Sequence, residues 1–424
     1  MNIENNNPWW HGEPDENYES WQGKSIKWIP KIVDLIPLTP FGLNFLTGPR
    51  QVGKSTALKL LIHKELQNKR DPYSIFYCPC DELLDFEELG EVLDIYISSR
   101  NARQISNSLI ILDEITFVKE WWRAIKARID DGKFKKDTLI ISGSSSVELL
   151  KEKERFPGRR GNGLDFVLFP LNFQEYASLS IKGLITHQIE QVSSVETTIE
   201  PNNFFKSSLF DLFNNYLITG GFPNPIQDFY VSHKIRSDTK RTYLDWIRGD
   251  IRKAEKNEAY MKEIFAYLLN VRCSPISWLS ITKETSINSP HTAQTYIETL
   301  QQLYIVNILN HISQDGKINY KKNKKVHLID PFLVNILTEF TGIEVLHETI
   351  VESVVATHLS RICPIFYWRN SSEVDIVGII KGQQVGFEVK WGPKNWKKPP
   401  HLKNCFLLTK ENIPLFLASI DWNL

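Results

Sequence analysis

The chain has 424 residues, 42% of them hydrophobic, 24% charged and 12% aromatic. This composition excludes a wholly disordered, collagen-like or coiled-coil chain and leaves room for about two to four domains. Fifty Lys and Arg balance fifty Asp and Glu, so the formal net charge is zero. On its face, that excludes a partner held by bulk positive charge.

No apolar run approaches the ~18 residues that a membrane span needs. The N-terminus, MNIENNNPWWHGEPDENYES, is polar and acidic and lacks the basic and apolar regions of an export signal. The five cysteines, Cys78, Cys80, Cys273, Cys363 and Cys405, form neither a disulfide frame nor a zinc spacing. Cys78-Pro79-Cys80, without partners, reads as structural, and a reducing, cytoplasmic compartment fits.

In chain order, residues 1–30 form an acidic leader with four tryptophans (Trp9, Trp10, Trp21, Trp28). It reads as a strap docking its rings on the body. Residues 31–183 alternate short apolar runs with helical stretches. The runs are Leu43–Leu46, Ser74–Tyr77, Leu109–Leu112, Leu139–Ile141 and Phe166–Phe169. Together they predict an α/β core with a parallel sheet covered on both faces.

After the first run comes Gly48-Pro49-Arg50-Gln51-Val52-Gly53-Lys54-Ser55-Thr56, the G-x-x-x-x-G-K-[ST] pattern of a phosphate-binding loop. A helix is predicted to follow over Ala57–Leu66. The glycines let the loop curl so that backbone N–H groups face phosphates at a helix N-terminus. Lys54 would reach the β- and γ-phosphates of ATP, and Ser55 would bind Mg2+. Leu109-Ile110-Ile111-Leu112-Asp113-Glu114 is a buried strand ending in two carboxylates. Asp113 would hold Mg2+ through water and Glu114 would orient the attacking water. The next strand ends in Ser142-Gly143-Ser144-Ser145-Ser146, where Ser144 would sense the γ-phosphate. Arg159 and Arg160, in Gly158-Arg159-Arg160-Gly161, would neutralise transition-state charge in cis or on a neighbouring copy's nucleotide. The alternative is a solvated turn.

Residues 184–203 are polar and unpatterned, which predicts a loop. Residues 204–260 read as helices around the Gly220-Gly221-Phe222-Pro223 break. Residues 261–325 read as two helices, Ser277–Glu284 and Ser289–Leu303, followed by a strand, Ile305–Asn310, and a basic tip (Lys317, Lys321, Lys322, Lys324, Lys325) that joins it to a second strand, Val326–Ile329. A helix-turn-helix with a basic wing suggests DNA. The second helix, however, offers no Lys or Arg to a groove, which favours packing within the chain.

Residues 326–424 alternate strand and helix. Glu373–Val377 and Val385–Lys390 read as strands joined by a Lys381-Gly382 turn. Glu388 and Lys390, two apart, share a face, and in a hairpin Asp375 can lie near Glu388. Two carboxylates there would hold Mg2+ or Mn2+, Lys390 would position or activate water, and Glu352 would be a third acid. Glu352, Asp375 and Glu388-x-Lys390 match the PD-(D/E)xK pattern, without a proline before Asp375. The alternative is a salt-bridged strand pair that does not cut. His347 and His358 read as surface or helix residues.

The ordered set TGPRQVGKST, LIILDEI, ISGSSS, PGRRG, FPLNFQEY, YLITGGFP and EVDIV…FEVK resembles the prokaryotic AAA+-type ATPases with a C-terminal, DUF4143-like domain of unknown function related to PD-(D/E)xK nucleases. The resemblance implies a P-loop ATPase core, a helical lid, a winged helix and a restriction-endonuclease-like tail. It also implies that Gly221 and Pro223 contact the nucleotide. The expected activity is ATP hydrolysis that controls a metal-dependent nuclease-like domain on DNA or RNA. The other reading is an ATP-dependent switch that binds nucleic acid or a partner protein without cutting. An arginine acting in trans would require a homo-oligomer.

The zero net charge averages unlike segments. Residues 81–94 carry −7 and the leader −3, whereas 151–160 carry +3 and both 316–325 and 381–403 carry +5. Any nucleic-acid contact is therefore expected in the C-terminal half, with steep salt dependence.

Overall fold

The computed structural model describes residues 3–143, 149, 152–370, 372–392 and 396–422. The chain divides into two compact units, Met1–Phe169 and Pro170–Leu424, so the first ends ahead of the 183 expected from sequence.

The first unit is built on five strands: β1 (Gly42–Thr47), β2 (Ile75–Pro79), β3 (Leu109–Asp113), β4 (Thr138–Ser142) and β5 (Asp165–Val167). They lie in the order β2-β3-β4-β1-β5 with every pairing parallel. Leu43, Phe45, Leu109–Leu112 and Leu139–Ile141 are buried, as continuous apolar runs are when both faces of a parallel sheet are covered. The long helices are α3 (Lys54–Gln67), α4 (Phe86–Ala102) and α5 (Trp121–Asp130), after the short α1 (Glu16–Gln22) and α2 (Ile32–Leu35).

The leader docks on the free edge of β2. The Asn7 side chain donates to Tyr77 O (2.9 Å) and accepts from Tyr77 N (2.7 Å). Both indole N–H groups of Trp9 and Trp10 donate to Ile75 O, at 3.1 and 2.9 Å. An edge strand's unpaired groups are thereby satisfied within the chain. Only Trp9 and Trp10 are buried; Trp21 and Trp28 stay half-exposed.

In the second unit, helices α6 (Phe173–Ser178), α7 (Val195–Ile199), α8 (Lys206–Thr219), α9 (Pro223–Ser232), α10 (Ser237–Lys253), α11 (Glu258–Val271), α12 (Trp278–Glu284) and α13 (Pro290–Gln302) precede the sheet. Then come β6 (Val306–Ile312), β7 (Ile318–Asn319), β8 (Lys325–Leu328), α14 (Pro331–Thr341), α15 (His347–Ser360), β9 (Ile365–Arg369), β10 (Glu373–Ile380), β11 (Gln383–Lys390), β12 (Asn404–Thr409) and α16 (Ile413–Ala418). One sheet runs β12-β11-β10-β9-β6-β7, with β8 paired to β6. The strands expected of a wing and those expected of the tail are therefore continuous, and the anticipated boundary at 325 falls at the start of β8. Ile312, Phe366, Trp368, Val374, Val377 and Leu402 form its core cluster.

One sequence expectation needs correction and another is narrowed. Residues 184–203 are not a plain loop. Ser194 caps α7, and the buried Asn202 side chain donates to Ile185 O (2.7 Å) and Ser419 Oγ (2.8 Å). These polar residues satisfy backbone groups, which an apolar pattern does not reveal. His358 lies on helix α15, the second of its two sequence readings, and not at the surface. It is buried, accepts from Phe173 N at Nε2 (2.8 Å) and donates from Nδ1 to Val354 O (2.7 Å). No helix among the described residues is long and apolar enough to cross a membrane.

Candidate functional site

The loop between β1 and α3 has the geometry of an anion cradle. Gly48, Gln51 and Gly53 have φ of 138°, 61° and 100°. A Cβ on Gly48 would stand 2.2 Å from Leu168 O, so only glycine fits there. Gly53 precedes α3 as its N-cap, which places the loop at the N-terminus of a 14-residue helix. Pro49 and Val52 are buried, Arg50 and Thr56 half-buried, and Gln51 and Ser55 exposed. Lys54 is buried, and its ammonium donates to Gly48 O (3.1 Å) and Pro49 O (3.0 Å). The lysine is thus curled over the backbone that carries the cradle.

Asp113, at the end of β3, is buried and accepts from Tyr77 Oη (2.9 Å) and from Glu114 N (3.1 Å). Burial and the Asp113 charge push the Tyr77 phenol well above its ordinary pKa, so it remains a donor. Glu114 itself takes a left-handed backbone (φ 55°) at the head of a 3-10 turn. Behind this pair the leader adds a buried ion pair, Lys59 Nζ to Asp15 Oδ2 at 3.1 Å, with Lys59 over the Tyr77 ring at 4.0 Å. Burial pushes the Asp15 carboxyl up, but His63 and Lys59 outweigh it and hold Asp15 at about 2. The loop, Ser55, Asp113 and Glu114 fit a nucleoside triphosphate with its Mg2+ by donor chemistry: amides and an ammonium for phosphate, a hydroxyl and a carboxylate for the ion.

The remaining predicted nucleotide ligands have other partners or fall outside this unit or the described residues. Ser144 lies outside the described residues. Arg159 forms a two-pronged surface pair with Asp130 (2.6 and 3.3 Å), and Arg160 pairs with Asp165 (2.5 Å). Gly221 and Pro223 belong to the second unit, where packing accounts for the glycines. A Cβ on Gly221 would stand 2.1 Å from Leu171 O, and one on Gly220 would stand 1.9 Å from Asp330 Oδ1. Gly221 N donates to Asp330 Oδ2 at 2.8 Å, and Pro223 is the first residue of α9.

The sequence-predicted acids of the tail do come together. Glu352 on α15, Asp375 on β10, and Glu388 and Lys390 on β11 line one cleft of about 230 Å³. Beyond the Ile376–Phe387 pair of the β10–β11 hairpin, Asp375 N donates to Glu388 Oε2 (3.3 Å) and Val389 N donates to Asp375 Oδ2 (3.0 Å). Lys390 pairs closely with Glu388 and lies 3.7 Å from Asp375 Oδ2.

Lys325, which the sequence reading placed on an exposed wing tip, is the unexpected member. It is 2% exposed, and its ammonium lies 3.0 Å from Glu352 Oε1, 2.9 Å from Glu373 Oε1 and 3.0 Å from Asp375 Oδ1. One ammonium cannot neutralise three acids. Burial therefore leaves Glu352 raised to about 8 and Glu388 to about 7. Burial alone would also raise Asp375, but Lys325 and then Lys390 hold it below its ordinary value.

This arrangement does not fit the Mg2+ or Mn2+ expected from the pattern. Each oxygen of Asp375 and Glu388 already accepts from an ammonium or a backbone N–H, and withdrawing Lys325 would strand buried carboxylates. The only sequence signal for Lys325 was the switch, after Lys322, from exposed residues to the apolar alternation Val326-His327-Leu328.

The basic tip is also smaller than its composition suggests. Lys317 pairs with Asp315 (2.8 Å), Lys324 donates to Tyr320 O and Lys322 O (both 2.7 Å), and Lys325 is internal. Lys321 and Lys322 stay exposed. With Lys324, Gln294, Gln301 and Tyr320 they line a groove of about 630 Å³.

Comparison with known proteins gives two family matches. Residues 41–177 match a family described as an AAA domain, and residues 210–344 match a domain of unknown function (DUF8612). No curated protein matches. Among solved structures, the Walker-type ATPase of Pyrococcus abyssi aligns at 11% identity and TM-score 0.43 over 70% of this chain and 90% of its own. The ORC2 protein of Aeropyrum pernix, in ADPNP–ADP complexes, aligns at 11% identity and TM-score 0.40 over 74% and 90%. The ORC1 protein of the same organism, in complex with DNA, aligns at 14% identity and TM-score 0.29 over 70% and 86%. Residues 41–177 thus resemble an AAA domain, and their parallel sheet accords with that match.

Proposed function

We propose that the protein binds and hydrolyses ATP at the P-loop and uses its nucleotide state to switch the C-terminal unit between states that bind nucleic acid differently, without cutting it. The ATPase half is carried by the Gly48–Ser55 cradle facing Asp113 and Glu114. Backbone N–H groups would bind the phosphates, and Lys54 would leave the Gly48 and Pro49 carbonyls for them. Glu114 would orient the attacking water. Ser55 and Asp113 would hold the Mg2+ of the substrate, whose charge neutralises the transferred phosphoryl group. Loss of ATP hydrolysis in Lys54→Ala supports this half, and unchanged hydrolysis sinks it.

The non-cutting half is carried by Lys325 among Glu352, Glu373 and Asp375. In its place the groove with Lys321, Lys322 and Gln301 offers exposed ammonium and amide groups to a phosphate backbone, while Gln294 on its wall donates to Glu298 (2.7 Å). Anisotropy of labelled single- and double-stranded DNA and RNA with the full chain, in ADP and in a non-hydrolysable ATP analogue, tests it. A nucleotide-dependent affinity that falls with salt and weakens in Lys321→Ala/Lys322→Ala supports the switch. Equal affinity in both nucleotides overturns it. Mg2+- or Mn2+-dependent cleavage that disappears in Asp375→Asn would restore the nuclease reading.

A further inference from the structure

The geometry points to a transition-metal site, of the class that takes Zn2+, formed by Cys273 Sγ, His327 Nε2 and a Glu352 carboxylate oxygen, with a water from the adjoining cleft as fourth ligand. The three ligand atoms all lie within 4.8 Å of one another, and His327 Nε2 is 3.9 Å from Glu352 Oε1. A tetrahedral Zn2+ with bonds of about 2.0–2.3 Å needs its ligand atoms a little closer than this, so a small contraction closes the site. Sulfur, imidazole nitrogen and carboxylate are the mixed donors that a borderline-soft ion prefers and that Mg2+ does not.

A second observation is independent of that clustering. His327 is fully buried, and its Nε2 has no hydrogen-bond partner, which is costly for a buried polar atom unless something binds there. Its other nitrogen, Nδ1, faces Ser353 Oγ at 3.3 Å, the outer contact that orients metal-bound imidazoles. Cys273 Sγ lies 3.4 Å from the same Ser353 Oγ, so one hydroxyl braces two ligands. Cys273 and Glu352 both line the 230 Å³ cleft, which provides the path for the ion and room for the water.

The charges also balance. Lys325 keeps Glu373 and Asp375 as partners. Binding forms metal–sulfur and metal–oxygen bonds and releases to solvent the Cys273 thiol proton and any proton on Glu352, so thiolate and carboxylate neutralise the divalent ion. The ion would tie together the turn after α11, strand β8 and helix α15, three elements distant in sequence.

The test uses the metal-stripped full chain, with Zn2+ for affinity and thermal midpoint and Co2+ for spectroscopy. One equivalent of Zn2+ is expected to bind and raise the unfolding midpoint. Co2+ is expected to give tetrahedral d–d absorption with a thiolate-to-metal charge-transfer band. Cys273→Ser is expected to lose the charge-transfer band, and His327→Gln, close to isosteric, to weaken Zn2+ binding at least 10-fold. Glu388→Gln is expected to bind as the parent does. Circular dichroism shows which variants are folded, and if Cys273→Ser is not, the His327→Gln titration decides. Absence of stoichiometric binding, an unaltered cobalt spectrum in folded Cys273→Ser, or loss of binding in Glu388→Gln with retention in His327→Gln overturns the assignment.

Discussion

Lys54 and Lys325 are both buried lysines beside a candidate site, and they differ in what holds them. Lys54 rests on two neutral carbonyls of its own loop, hydrogen bonds worth about 1–3 kcal/mol each for a charged donor and replaceable by phosphate. Lys325 rests on three carboxylates, and moving it leaves acids buried without a counter-charge. The same residue type is therefore held by neutral carbonyls in the first unit and by acids, as a counter-ion, in the second. A sequence motif supplies acids and a lysine. Only the surrounding charges decide whether the lysine can leave to serve a ligand.

The largest expected effect follows from the lysine held by carbonyls. Lys54→Ala should lower ATP hydrolysis by about 100-fold or more, the scale of losing one preorganised charge donor. It should lower the thermal midpoint less than the loss of Lys325 does, because its two loop hydrogen bonds go to neutral carbonyls. Phosphate release and differential scanning fluorimetry read the two quantities. A large fall in midpoint would break the comparison by showing that Lys54 is structural too.

The lysine held by acids gives the reverse pattern. Lys325→Met should leave basal hydrolysis intact and destabilise the chain by about 3–5 kcal/mol, measured by chemical denaturation near neutral pH. The loss should shrink toward about pH 5. Glu352 and Glu388 are raised to about 8 and 7, so the folded state binds more protons than the unfolded one in that window, and acid relieves their repulsion. Lys390→Met should cost clearly less, since Lys390 is half-exposed and pairs with two acids. Equal losses for the two variants would remove the distinction between them.

What was legible in the sequence was local. The loop, the parallel strands and Asp113–Glu114 announce themselves because a phosphate cradle and a two-sided sheet need particular residues at fixed short spacing. The hairpin joining Asp375 to Glu388 and Lys390 was equally readable, from Lys381-Gly382 and a period of two. Lys325, Cys273 and His327 were hidden because their meaning depends on partners on other elements. Within KKNKK the last lysine is indistinguishable from its neighbours until β8 turns it inward. His358 and Asn202 escaped notice for a related reason: a buried polar residue that satisfies backbone groups leaves no periodic trace.

The leader offers a smaller test of how the first unit supports its site. Asn7→Ala should unpair the Tyr77 backbone and cost about 1–3 kcal/mol. Amide exchange at Tyr77 should quicken, and hydrolysis should fall only as far as Tyr77 loses its hold on Asp113. If Tyr77 exchange were unchanged, β2 would not depend on the leader for its edge.

The smallest expected effect concerns a buried acid that has no Lys325. Asp330 accepts from Gly221 N and Phe332 N, both at 2.8 Å, and burial raises it to about 7. A carboxyl raised in the folded state stabilises most below its unfolded value of about 4, and that contribution is lost as pH climbs toward 7. Asp330→Asn cannot titrate, but it surrenders one acceptor to the two N–H groups. It should therefore be less stable than the parent near pH 5, by about 1 kcal/mol. The gap should narrow or reverse near pH 7.5, where the parent carries the cost of a buried charge. Denaturation midpoints across that range read the slope. Parallel profiles for parent and variant would mean that Arg361, whose charge also acts on Asp330, already serves as its counter-ion, and Asp330 would then follow the same rule as the Lys325 cluster.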